Sequence, residues 1–91
     1  AVAPVGHVSE THPCRTITVN ESVDALGPNQ VAQPATVTFV VRDNGKVVQT
    51  ASLAPGQTAS YGNSYAKNSK HRIKVTQDGV VKVLVKVPTN C

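Results

Sequence analysis

The residues that could do chemistry in this chain are three histidines, two cysteines, two tyrosines and an uneven set of lysines and arginines. His7 and His12 stand near the N-terminus, and His71 lies far downstream. No HxH or HxxxH spacing occurs, so a metal site would have to be assembled by the fold, and no metal or cofactor is expected. Serine, histidine and aspartate are all present, but no serine sits in a nucleophile-elbow motif. No glycine-rich phosphate cradle exists. Glu21 and Asp24 fall in an expected loop and do not make a glycosidase pair. A chain of 91 residues has little room for a catalytic cleft, so the expectation is a protein that is not an enzyme.

Cys14 and Cys91 stand near opposite ends, with no CxxC and no metal-type partners beside them. An even count in this pattern reads as one disulfide, Cys14–Cys91. It would close nearly the whole chain, which in the chain-entropy treatment stabilises by about 4–5 kcal/mol. The alternative is a pair of free thiols in a cytosolic protein. The stretch "AVAPVGHVSETHP" is small, proline-containing and uncharged up to Glu10, like the start of a mature secreted chain. Residues 1–13 are expected as a flexible N-terminal segment and residues 14–91 as a single domain. No apolar run approaches the roughly 18 residues of a membrane span, so no transmembrane segment is expected. The expected location is secreted, outside the cell.

Charge divides the chain. Residues 1–41 carry Arg15 against Glu10, Glu21 and Asp24, whereas residues 42–91 carry the other eight basic residues against Asp43 and Asp78. Five of those cations, Lys70, Arg72, Lys74, Lys82 and Lys86, fall in the last two apolar-alternating runs.

The elements that must position them are strands. No window repeats apolar residues at helical spacing, and valine and threonine dominate. Short runs separated by turn signals indicate an all-β, Greek-key or immunoglobulin-like sandwich of six or seven strands. The runs are "RTITVN", "ATVTFVVR", "KVVQTASL", "QTASY", "KHRIKVT" and "VVKVLVKV". Asn44-Gly45 is a hairpin turn, and Pro55-Gly56 another turn. Between the first two runs, residues 20–34 form a long connection where function could sit. The expected core is Ile17, Val19, Val37, Phe39, Val41, Leu53, Ile73, Val75, Val81, Val83 and Val85.

The last hairpin constrains the cations. A three-residue loop, Gln77-Asp78-Gly79, would set Val75 opposite Val81 and Ile73 opposite Val83. It would also set Lys74 opposite Lys82 and Lys70 opposite Lys86. The five cations would then share one outer face. That face is either a solvated surface that blocks edge pairing or a dock for an anionic partner. It has no aromatic residues for stacking bases, which argues against nucleic acid. Tyr61 and Tyr65 flank Gly62. One is expected to cover an end of the sandwich and the other to be half exposed, although exposed tyrosine also anchors interfaces.

Ala54, Pro55, Gly56 and Gln57, then Gly62, Tyr65 and His71, follow the order and spacing of a segment in tendamistat-type α-amylase inhibitors. The chain from about Cys14 to Val75 resembles that family, with Cys14 just before the first strand and a Val/Thr-rich strand at Thr36–Val41. The resemblance implies a small secreted actinobacterial β-sandwich. That family inhibits through a Trp-Arg-Tyr triplet. Here tryptophan is absent, and the matching place holds Glu21, Ser22 and Val23. The family's two disulfides are not reproduced, since only Cys14 has a counterpart. A generic immunoglobulin-like domain is the alternative.

The leading expectation is a secreted, non-catalytic binding protein that docks on another macromolecule, most concretely as an inhibitor of an extracellular hydrolase. Contact would come from the 20–34 connection, including Glu21, Ser22 and Val23, or from Tyr61, Tyr65 and the basic residues that follow. One alternative is a structural or adaptor module of a secreted or surface assembly. Another is a cationic antimicrobial or envelope-binding protein that recognises an anionic polymer.

Overall fold

Period-two alternation runs through most of the chain, and the backbone follows it. A computed structural model describes residues 1–91. Seven strands form, with no helix: β1 Gly6–Thr11, β2 Thr16–Val23, β3 Val37–Asp43, β4 Lys46–Leu53, β5 Thr58–Ser64, β6 Arg72–Gln77 and β7 Val80–Lys86. They make two antiparallel sheets, β1-β2-β5 and β4-β3-β6-β7, as expected for a small β-sandwich. β4 sits beside β3 in the larger sheet. In the constant-type immunoglobulin arrangement the fourth strand joins the other sheet, beside the fifth. No helix is long and apolar enough to cross a membrane.

The inward residues of facing strands meet in two clusters. Ile17, Val19, Val41, Tyr65, Ile73, Val75 and Val87 make one, and Val23, Val37, Phe39 and Leu53 the other. Full burial of a valine, leucine, isoleucine or phenylalanine side chain contributes about 1.5–3 kcal/mol. Val83 and Val85 pack against the first cluster but are only partly buried. Val81, expected in the core, is instead 49% exposed.

Two further expectations need correction. Residues 1–13 are not a segment separate from the sandwich. Gly6–Thr11 pairs with β2 along its whole length, from Gly6 opposite Val23 to Thr11 opposite Thr18. Val8 packs against both clusters, so the domain starts before Cys14. Gly6 also lies close to β6, where an added Cβ would come within 2.8 Å of the Gln77 side chain.

The second correction concerns the last hairpin. Its turn has two residues, Asp78 and Gly79, with φ of 48° and 82°. That is the conformation whose twist matches the flanking strands. Gln77 therefore faces Val80, and Thr76 faces Val81. Carried further, this register would put lysine against the core. A bulge between Val75 and Thr76 shifts it by one residue and sets Val75 opposite Val83 and Ile73 opposite Val85. Lys82 is left with no opposite residue, Lys74 faces Leu84, and Arg72 faces Lys86.

Cys14 and Cys91 are bonded, with Cα atoms 6.2 Å apart. The bond ties the start of β2 to the end of the chain. Main-chain bonds from Arg15 N–H to the Pro88 carbonyl (2.7 Å) and from Asn68 N–H to the Thr89 carbonyl (2.7 Å) hold the C-terminal tail beside it.

Candidate binding face

The face is built from the turn that precedes it. Asn44 and Gly45 join β3 to β4 with φ of 51° and 86°. Asparagine is one of the few non-glycine residues that adopts this region readily. Asn44 then reaches across to the start of β6. Its N–H donates to the Arg72 carbonyl at 3.0 Å. Its Oδ1 accepts the Arg72 N–H at 2.9 Å, and its Nδ2 donates to the Lys70 carbonyl at 2.8 Å. The segment that carries the cations is thereby fixed to the sheet. Replacing Asn44 with alanine removes both side-chain bonds, at about 0.5–1.5 kcal/mol each, and should cost about 1–3 kcal/mol. The urea midpoint should fall with an unchanged slope, and the amide resonances of residues 70–74 should shift.

Along β6, Ile73 and Val75 point inward, so Arg72, Lys74 and Thr76 point outward. Residues opposite each other share a face, which adds Lys86, Leu84 and Val81 on β7. The result is an open groove lined by Lys70, Arg72, Lys74 and Lys86, with Val81 and Leu84 between them. Leu84 is 58% exposed. No carboxylate lines the groove. Asp43 is held by His71 Nδ1 at 2.9 and 3.0 Å. Asp78 accepts the Thr38 N–H at 2.9 Å.

Four of the five expected cations therefore gather, and Lys82 does not line the groove. Sequence reasoning missed Val81 as a surface residue. The available signal was the Asp-Gly pair, which favours a two-residue turn and so demands a bulge to keep the valines inside.

The other expected contact residues lie elsewhere. The strand β2 runs on through Val23, so Glu21-Ser22-Val23 is not part of a loop. Glu21 is 1% exposed and Val23 is also buried, so neither can meet a partner. Ser22 is half-buried and paired with His7 and Thr58 on the opposite sheet. Tyr65 is buried, with its ring stacked on His71 at 3.6 Å and 11°. Burial, and then the charge of Asp43, hold its phenol far above the ordinary range. Tyr61 is half-buried against the core, and its hydroxyl accepts a bond from Asn63 Nδ2 at 3.3 Å. The tyrosines pack the sandwich and do not extend the groove.

Glu21 is the one buried carboxyl group. Both of its oxygens lack a hydrogen-bond partner, as does the buried Oε1 of Gln49. Burial raises its pKa, and the Gln49 side chain opposes this in part. A protonated Glu21 could donate to Gln49 Oε1, satisfying two of the unpaired atoms with one proton. The three histidines each meet a different carboxylate: His7 with Asp24 at 2.9 Å, His12 with Glu10 at 2.7 Å and His71 with Asp43.

No protein-family model, curated protein or solved structure matches the chain.

Proposed function

We propose that this is a secreted, non-catalytic binding protein that docks an acidic partner protein on the outer face of β6 and β7. One observation carries the reading: four cations surround two exposed apolar side chains, and no carboxylate lies among them. Charges of one sign steer an opposite partner and speed encounter, while the apolar centre supplies area to bury. An anionic polymer without apolar groups would use the charges and leave Val81 and Leu84 uncovered, so a protein fits better. The disulfide supports an oxidising compartment. The resemblance to tendamistat-type inhibitors supplies the most concrete form of the reading, inhibition of an extracellular hydrolase. Contact then moves to the β6–β7 face, because Glu21 and Val23 are buried.

The test uses poly-glutamate as an acidic polypeptide and calorimetry as the readout. Replacing Lys74 and Lys86 together with glutamate should weaken binding by about tenfold or more, equivalent to roughly 1.4 kcal/mol. The matched pair Lys46→Glu and Lys67→Glu, neither of which lines the groove, changes net charge equally and should cost less. Equal losses from the two pairs would mean that net charge alone is being read, and the face would lose its role.

A further inference from the structure

Six large apolar side chains are exposed, and three of them, Val80, Val81 and Leu84, lie on β7. β7 is also an edge, with β6 its only neighbour in the sheet. The Val87 N–H donates to the His71 carbonyl at 3.0 Å, on the β6 side. Alternation along an antiparallel ladder turns the main-chain groups of Val85 and Val83 the same way and those of Leu84 and Lys86 toward the open side. The opposite flank of the sandwich is different. There, Gln49 Nε2 on β4 donates to the Ser60 carbonyl on β5 at 2.9 Å, linking the two edges. No hydrogen bond reaches the open side of Leu84 or Lys86.

Lysines and bulges ordinarily protect such an edge. Here the bulge lies at the Val81–Lys82 end, and Val83–Lys86 is regular. Val83 and Val85 remain only half-buried on the inner side, where an added strand would cover them.

We infer that the partner enters as an eighth strand paired with β7: an extended acidic segment in which carboxylates alternate with small apolar residues. This rests on the acidic-partner reading above and adds the mode of engagement, strand addition. Outward glutamates of the segment stand beside Lys86 and Leu84 of β7, with their methylene stems against Leu84 and their carboxylates toward Lys86 and the β6 cations one strand further on, and its inward apolar residues cover Val83 and Val85. The occupant is not a second copy of this chain. Two β7 strands side by side would bring lysines against lysines, in a chain of net charge +4.

The probe is a short capped peptide of alternating glutamate and valine, unmodified or N-methylated on one or the other set of alternate amides. Only one set can face β7. One methylated peptide should bind about tenfold or more weaker than the unmodified peptide, and the other within about threefold, since each lost hydrogen bond costs about 0.5–1.5 kcal/mol. Amide exchange at Leu84 and Lys86 should slow in the complex. On the protein side, Lys86→Pro and Lys86→Gln lose the same charge, but only proline loses the open-side N–H. Proline is tolerated on an edge when that N–H faces solvent. The Pro variant should bind about two- to tenfold more weakly than the Gln variant, the loss of one hydrogen bond.

Equal affinity for the two methylated peptides, with poly-glutamate binding still sensitive to Lys74 and Lys86, would overturn strand addition and leave the acidic-partner reading standing. Insensitivity of every probe to Lys74 and Lys86 would remove that reading itself. Dimerisation that Lys86→Pro abolishes would make a second copy the occupant and overturn the proposal.

Discussion

Replacing Cys14 and Cys91 together with serine should lower the unfolding free energy by about 4–5 kcal/mol. The half-cystines are 77 positions apart, so the bond constrains nearly the whole unfolded chain. Total stability for a domain of this size is on the order of 5–14 kcal/mol, so the loss is a large fraction of it. The folded state loses little direct contact, since both cysteines are exposed at the sandwich end. The effect should therefore appear in the urea midpoint, and reduction of the wild-type protein should reproduce it. A midpoint unchanged by either treatment would show that the native sheets hold without the covalent closure.

Replacing Glu21 with glutamine should stabilise the protein at neutral pH by about 1–3 kcal/mol, the usual cost of a buried polar group left unpaired. The carboxyl lies between Val8 on β1 and Ala59 on β5, buried and without a partner for either oxygen. Its folded pKa is raised above 4.5 by burial. The sign of the pH dependence follows from linkage. Below the unfolded pKa the group is protonated in both states and carries no charge penalty. As pH rises from about 4.5 toward the raised folded value, the unfolded state loses its proton first, so stability falls. Above the folded pKa the loss is complete. The wild-type protein should thus weaken across that window, and Glu21→Gln should flatten this part of the curve. A glutamine amide can donate to Gln49 Oε1 at any pH, as the protonated acid does. Chemical denaturation across the pH series reads both effects. A variant less stable than wild type at pH 7 would contradict the burial account.

The same glutamate shows why part of this molecule was legible in the sequence and part was not. Val37, Phe39 and Val41 alternate without interruption, as do Ile73 and Val75, and their strands and buried faces follow directly. Ile17 and Val19 continue that pattern, but the next inward position is Glu21, where apolar alternation stops and a strand end is the natural reading. The backbone nevertheless continues to Val23. β1 was hidden for a related reason. Its inward positions are Gly6, Val8 and Glu10, with a single apolar side chain among them. Its pairing comes from β2 across the sheet, a tertiary cause that local pattern does not encode. The last hairpin failed differently. The valines indicated the inward face well enough, but a three-residue loop and a two-residue turn with a bulge both satisfy it. Only the second releases Lys82 from the ladder and turns Val81 outward beside Leu84. Leu84 faces outward in either register, and Val81 joins it only through the bulge, which is why the cations were visible in advance and the full apolar centre was not.

The central claim is that the β6–β7 outer face receives an acidic partner. Amide chemical-shift mapping during titration with poly-glutamate tests it most directly, at low and at high salt, since exposed charge interactions are screened beyond about 8 Å at physiological ionic strength. The predicted result is a saturable set of shifts confined to Asn44–Gly45, residues 70–74 and residues 81–87, shrinking as salt rises. Shifts centred on residues 24–36 or on the β1-β2-β5 sheet, or small shifts spread over every exposed lysine, would contradict it.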